Sequence, residues 1–169
     1  MNVNYKKIMG VNSMEYEVQT LEEMNVIGYL SKFATMQDAQ QGLPKAWQAF
    51  NENGQDKTLA ALSNHKLDGF LGVIVPTESG MNYLIAVTSD KKSEAGLHPY
   101  TLPAGKYVVA DAKGPVPEAI QRVCEKVYTP HYLSELGFKM RQAPGIEFYP
   151  HGNPMADDYA AKVYVPVEE

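Results

Sequence analysis

One order of elements occurs twice along this chain, and that duplication restricts its fold more than any single motif. Val26 to Phe33 (Val-Ile-Gly-Tyr-Leu-Ser-Lys-Phe) has the branched and aromatic content of a strand. Leu43, Ala46, Trp47 and Phe50 then recur at helical spacing, with Pro44 suited to a first helical turn. Phe70 to Val75 and Tyr83 to Thr88 read as two further strands, joined by a turn through Pro76 and Gly80. The second half repeats the order. Lys106 to Asp111 is strand-like, and the run from Glu118 places Ile120, Val123, Cys124, Val127 and Tyr128 on one helical stripe. Gly145 to Pro150 and Ala161 to Val167 complete it. The pattern predicts an α+β domain of two tandem β-α-β-β units with pseudo-twofold symmetry. Its sheet is mainly antiparallel, with the helices on one face and a cleft between the halves. Residues 1–13 read as an N-terminal extension and 14–169 as a single domain, with repeats of about 14–95 and 96–169.

Within the second repeat, Gly-Ile-Glu-Phe-Tyr-Pro places Glu147 and Tyr149 on one side of a strand and Ile146 and Phe148 on the other. Aligning Pro76 with Pro150 matches Glu147 to Val73 and Tyr149 to Val75, so one repeat carries an apolar pair where the other carries an acid and a phenol. Two readings stand at this point. In one, Glu147 lies on a half-exposed strand and meets water. In the other, the two faces are walls of a shared cavity and the acid is placed inside it.

Charge and motif content narrow the chemistry. The formal charge is −5, from 15 Lys plus Arg against 20 Asp plus Glu, and no basic cluster interleaves with aromatics. Direct nucleic-acid binding is therefore not expected, since phosphate recognition needs a concentrated cationic surface. The acidity favours cationic small molecules instead. No apolar run reaches the roughly 18 residues of a membrane span, and the opening residues lack a secretory signal, so a cytoplasmic protein without membrane contact is expected. Cys124 reads as a small buried hydrophobe. His65, His98, His131 and His151 occur singly, so no metal site is expected, and no P-loop, nucleotide-binding glycine fingerprint or hydrolase elbow is present, so no cofactor is either. A capped short helix from Pro130 carries Tyr132, which lies four residues after Tyr128.

Two β-α-β-β units in tandem, the strand that follows Leu-Pro-Ala (Leu102 to Asp111), the Ile-Glu-Phe-Tyr-Pro segment and the closing Val-Tyr-Val-Pro-Val together resemble the gyrase-inhibitor-like effector-binding domain. That module also serves as the ligand domain of AraC-type and MerR-type multidrug regulators. The likeness runs from about Glu15 to the end of the chain. It implies that Glu147, as the acid of a Glu-x-Tyr on the third strand of the second unit, faces the positive charge of bound drugs or dyes, with Tyr149 beside it. The chain departs from relatives in two ways. Fewer than about 20 residues precede the first matching strand, too few for the helix-turn-helix of the regulators, and Tyr128 or Tyr132 stands where many relatives have tryptophan on the second helix. It is similar to the free-standing forms, which include gyrase-binding proteins and proteins carried on mobile integron cassettes.

The resemblance implies non-catalytic binding of hydrophobic cations. Glu147 supplies the charge and Tyr149 a phenol, and Trp47, Tyr107 and Tyr128 are the expected aromatic wall residues. Aromatic faces suit such ligands through apolar area and cation–π attraction. Two alternatives come from other classes. One is hydrolysis of small electrophiles with Glu147 as general base. The other is interaction with a protein partner such as a topoisomerase.

Overall fold

The structure, a computed structural model, describes Ile8–Met9 and residues 15–169. Along the chain the elements are β1 (Ile8–Met9), β2 (Glu15–Leu21), β3 (Met24–Phe33), α1 (Met36–Glu52), α2 (Gln55–Ala60), β4 (Gly69–Pro76), β5 (Met81–Thr88) and β6 (His98–Leu102). There follow β7 (Gly105–Lys113), α3 (Glu118–Val127), α4 (Pro130–Glu135), β8 (Lys139–Met140), β9 (Gly145–Pro150) and β10 (Ala160–Glu168). The β-α-β-β order appears twice, from β3 to β5 and from β7 to β10. The fold is mixed α+β, and the strand pairs in each unit are antiparallel.

Two compact units do not follow a linear cut. One is residues 24–102; the other joins the N-terminal 23 residues to residues 103–169. The reason is strand pairing. The strand that leads into the first repeat, β2, pairs with β7, and the strand that leads into the second, β6, pairs with β3. The sequence-derived repeats of about 14–95 and 96–169 differ from the units by this exchange. Most of the 1–13 extension lies outside the described residues, and within it Ile8 and Met9 pair with Tyr16 and Glu15.

The first repeat's unit builds its sheet in the order β4-β5-β3-β6. Helix α1 starts earlier than the stripe from Leu43 predicts, because the Thr35 side chain caps it by accepting from the Asp38 amide at 3.1 Å. Pro44 consequently lies inside the helix rather than in its first turn. The helix-facing core here is Ile27, Ala39, Phe50, Leu59, Tyr83, Ile85 and Val87, with Trp47, Phe70 and Ile74 packed against it.

The other unit orders its strands β1-β2-β7-β10-β9, with β8 also on β10. Ile120, Val123 and Val127 recur on one side of α3 and pack on Val108, Ala110, Val163 and Val165. Burying each such aliphatic side chain contributes about 1.5–3 kcal/mol. Helix α4 is capped by Thr129, whose hydroxyl accepts from the Tyr132 amide, and it opens with Pro130. Arg141 donates to the carbonyls of Val167 and Lys106, and its guanidinium lies 4.9 Å from the centre of the Tyr107 ring.

Candidate ligand-binding site

Register decides which way Glu147 faces. Glu147 sits opposite Val163, and Val163 opposite Ala110. Opposed residues of an antiparallel pair share a face, and both partners belong to the core beneath α3. Glu147 therefore projects on the helix-covered side of the sheet, not on a solvated one, and it is half-buried there. Tyr149, two residues on, shares that side and packs against the same core. Its hydroxyl donates to the Glu147 carboxylate at 2.9 Å. A phenol donating to a carboxylate is a charge-assisted bond, stronger than a neutral one.

Helix α3 brings two more side chains to this place. Cys124 and Tyr128 are one turn apart and both pack at the margin of the core. Burial pushes the Cys124 thiol up to about 12, and the charges of Glu147 and Glu125 add to it. Burial also drives the Tyr128 phenol well above its ordinary value, with further contributions from Cys124, Glu147 and Tyr107. The negative charge of Glu147 is thus felt by both α3 groups. The Tyr128 hydroxyl lies over Gly145 so closely that a Cβ there would collide with it. Glycine at this position lets the ring settle on the strand.

The other two expected wall residues, Tyr107 and Trp47, have their own surroundings. Tyr107 opposes Pro166, an odd number of positions from the Glu147 row, so it projects on the opposite face of the sheet. It is 1% exposed, with its ring against Tyr164 and under Arg141. Trp47 belongs to the unit of residues 24–102. Its indole donates to the Tyr83 hydroxyl at 3.1 Å and meets the Phe50 ring edge-on at 5.6 Å. The structure joins Glu147, Tyr149 and Tyr128, and it does not join Tyr107 to them.

The match of Glu147 to Val73 is corrected by the same argument. On β4 the helix-facing side is that of Phe70 and Ile74, whereas Val73 opposes Leu84 on the other face. The contrast remains, because an aromatic and an aliphatic side chain occupy the helix side of β4 where β9 presents an acid and a phenol. Cys124 and Gly145 are site neighbours that the sequence did not single out. The i, i+4 spacing of Cys124 and Tyr128 was the available signal.

A depression of about 400 Å³ in the unit of residues 24–102 is lined by Asn25, Val26, Lys91, Lys92, Pro99, Tyr100 and Thr101. Its two lysines repel cations. Among the described residues, no group of three or more His, Cys, Asp or Glu could hold a metal ion, and no helix is long and apolar enough to cross a membrane.

The described architecture is shared with solved proteins. A protein from Staphylococcus aureus MU50 named for bacterial transcription regulation is 31% identical, over 92% of this chain and 99% of that one, with a TM-score of 0.81. SAV2435, solved bound to tetraphenylphosphonium, is 32% identical over 92% of this chain and 94% of that one, with a TM-score of 0.83. An integron cassette protein from the mobile metagenome of Vibrio cholerae shares the fold at 16% identity over 90% of this chain and 95% of that one, with a TM-score of 0.66. No curated protein matches the chain. The Cass2 family of integron-associated effector-binding proteins matches residues 17–167, and the chain belongs to that family.

Proposed function

We propose that the chain binds hydrophobic cationic small molecules without catalysis. Glu147 supplies the opposing charge, Tyr149 holds the carboxylate, and Tyr128 lends an aromatic wall. One observation carries the reading: a half-buried carboxylate on the apolar, helix-covered side of the sheet, kept there by a phenol at 2.9 Å. A carboxylate shielded from water attracts a cation more strongly than a solvated one, because the effective dielectric is lower. An apolar cation meets the surrounding side chains at little cost and neutralises the acid, whereas an anion would meet like charge. The relative captured with tetraphenylphosphonium supports the same ligand class.

In this reading the effector-binding domain spans residues 14–169 after an extension of residues 1–13, works in the cytoplasm and needs no cofactor. Isothermal titration with tetraphenylphosphonium tests it. Saturable binding of one ligand per chain, displaced by a second hydrophobic cation, is expected. Absence of saturable binding up to about 1 mM, an affinity of roughly 4 kcal/mol, would contradict the reading.

A further inference from the structure

The polar groups around Glu147 are not all satisfied. The Tyr149 hydroxyl donates to the carboxylate, but the hydroxyls of Tyr128 and Tyr107 are buried with no hydrogen-bond partner among the described residues. Buried hydroxyls are nearly always paired, and an unpaired one carries the cost of its lost hydration. Glu147 and Tyr107 both act on the Tyr128 phenol, which burial already holds well above its ordinary value. Tyr128 reaches its position only because residue 145 is glycine: the phenol oxygen occupies the space that a side chain would take. Its ring is half-buried at the margin of the α3 core, so the aromatic body is partly accessible while the oxygen is held against the strand.

We infer that the Tyr128 hydroxyl over Gly145 is a second, polar subsite beside Glu147, which takes a neutral hydrogen-bonding group carried by the cationic ligand. The inference rests on the cation-binding reading above and deepens it. The ligand class becomes hydrophobic cations that bear a hydroxyl, carbonyl or similar group a few ångströms from the charge. A ligand that offers such a group gains a hydrogen bond to Tyr128, whose hydroxyl has no partner among the described residues. It also relieves an unpaired buried oxygen. Tyr149 cannot serve this role as readily, since its hydroxyl is engaged with the carboxylate.

A matched pair of probes tests this: tetraphenylphosphonium and (4-hydroxyphenyl)triphenylphosphonium, which share charge and framework and differ by one hydroxyl. The protein should bind the hydroxylated cation about 3- to 10-fold more tightly, the yield of one net hydrogen bond. In Tyr128→Phe the ratio of the two affinities should fall to about one. Equal affinities in the parent, or a preference that survives Tyr128→Phe, would overturn the subsite. A thermal melt of the empty Tyr128→Phe protein gives a second reading. Loss of an unpaired hydroxyl should leave Tm level or raise it, and a drop of several degrees would show that the hydroxyl had a partner and would also overturn the inference. Failure of both phosphonium ions to bind the parent would overturn the cation reading itself, and the subsite with it.

Discussion

The Tyr149 hydroxyl donates to the Glu147 carboxylate across 2.9 Å from two positions further along the same strand. Alternate residues of a strand share a face, so the phenol lies alongside the acid and meets it from within the sheet's own surface. The carboxylate is thereby aimed and partly satisfied where it is shielded from water. Tyr149→Phe should keep the fold and weaken tetraphenylphosphonium binding by about 3- to 10-fold, the loss of one charge-assisted hydrogen bond that orients the acid. Titration calorimetry of the two proteins checks it, and unchanged affinity would show that the bond does not position the acid.

Gly145 and Tyr128 should be energetically coupled. A methyl group at residue 145 meets the Tyr128 oxygen, so Gly145→Ala should destabilise by about 1–3 kcal/mol through overpacking. In a Tyr128→Phe background the oxygen is gone and most of that cost should vanish. Urea denaturation of the four proteins of this cycle measures the coupling, and additive effects would mean that the collision is relieved elsewhere.

High pH should destabilise the protein. The Tyr164 phenol, 4% exposed, is pushed up to about 12 by burial and by the charges of Glu17 and Asp111, and the Cys124 thiol is pushed up to about 12 chiefly by burial. Between the ordinary values of these groups and their raised ones, the unfolded chain releases protons that the folded chain keeps. Stability therefore falls as pH rises, with the loss beginning near pH 9 and growing toward pH 12. Thermal melts from pH 7 to 11 should show this fall. Tyrosinate absorbance should show that Tyr128 and Tyr164 ionise together with unfolding rather than ahead of it.

Cys124 should resist alkylation in the native protein. With its thiol raised to about 12, the thiolate fraction at pH 8 is on the order of one in ten thousand. Iodoacetamide labelling should be at least about 100-fold slower than in the denatured chain, where the thiol has its ordinary value near 8.5. Rapid native labelling at pH 8 would contradict the packing of α3 on β7 and β10.

The strands with branched and aromatic runs were legible in the sequence, β9 among them, because alternation and turn residues bound them closely. The two-residue strands β1 and β8 were too short to show alternation, and two longer strands were not legible either. The segment Glu15–Leu21 alternates Tyr16 and Val18 with Glu17 and Gln19 and reads as a polar opening until β7 is there to pair with it. His98–Leu102 contains Pro99, which argues against a strand, yet it pairs with β3 at the end of the strand order. Glu147 and Tyr149 were legible as a same-face pair, since that follows from period two alone. Which face they share was not, because register is fixed by pairing with β10, and a shift of one residue reverses every side chain. The same parity separates Tyr107 from the acid. Trp47 sat on a helical stripe that looks identical for a core residue and a wall residue, and its contacts with Tyr83 and Phe50 show how it is held.

The charge of Glu147 is the centre of this account, and Glu147→Gln tests it most directly, because the amide preserves shape and most hydrogen-bonding capacity while removing the charge. Two titrations of the variant and its parent suffice, one with tetraphenylphosphonium and one with neutral triphenylphosphine oxide. The account predicts that the cation loses about 2–5 kcal/mol, roughly 30-fold or more, since its charge would be shielded from water without a partner. The neutral compound should change by less than about threefold. A variant that binds both compounds as the parent does would show that Glu147 is an ordinary strand residue and that the site does not select for positive charge.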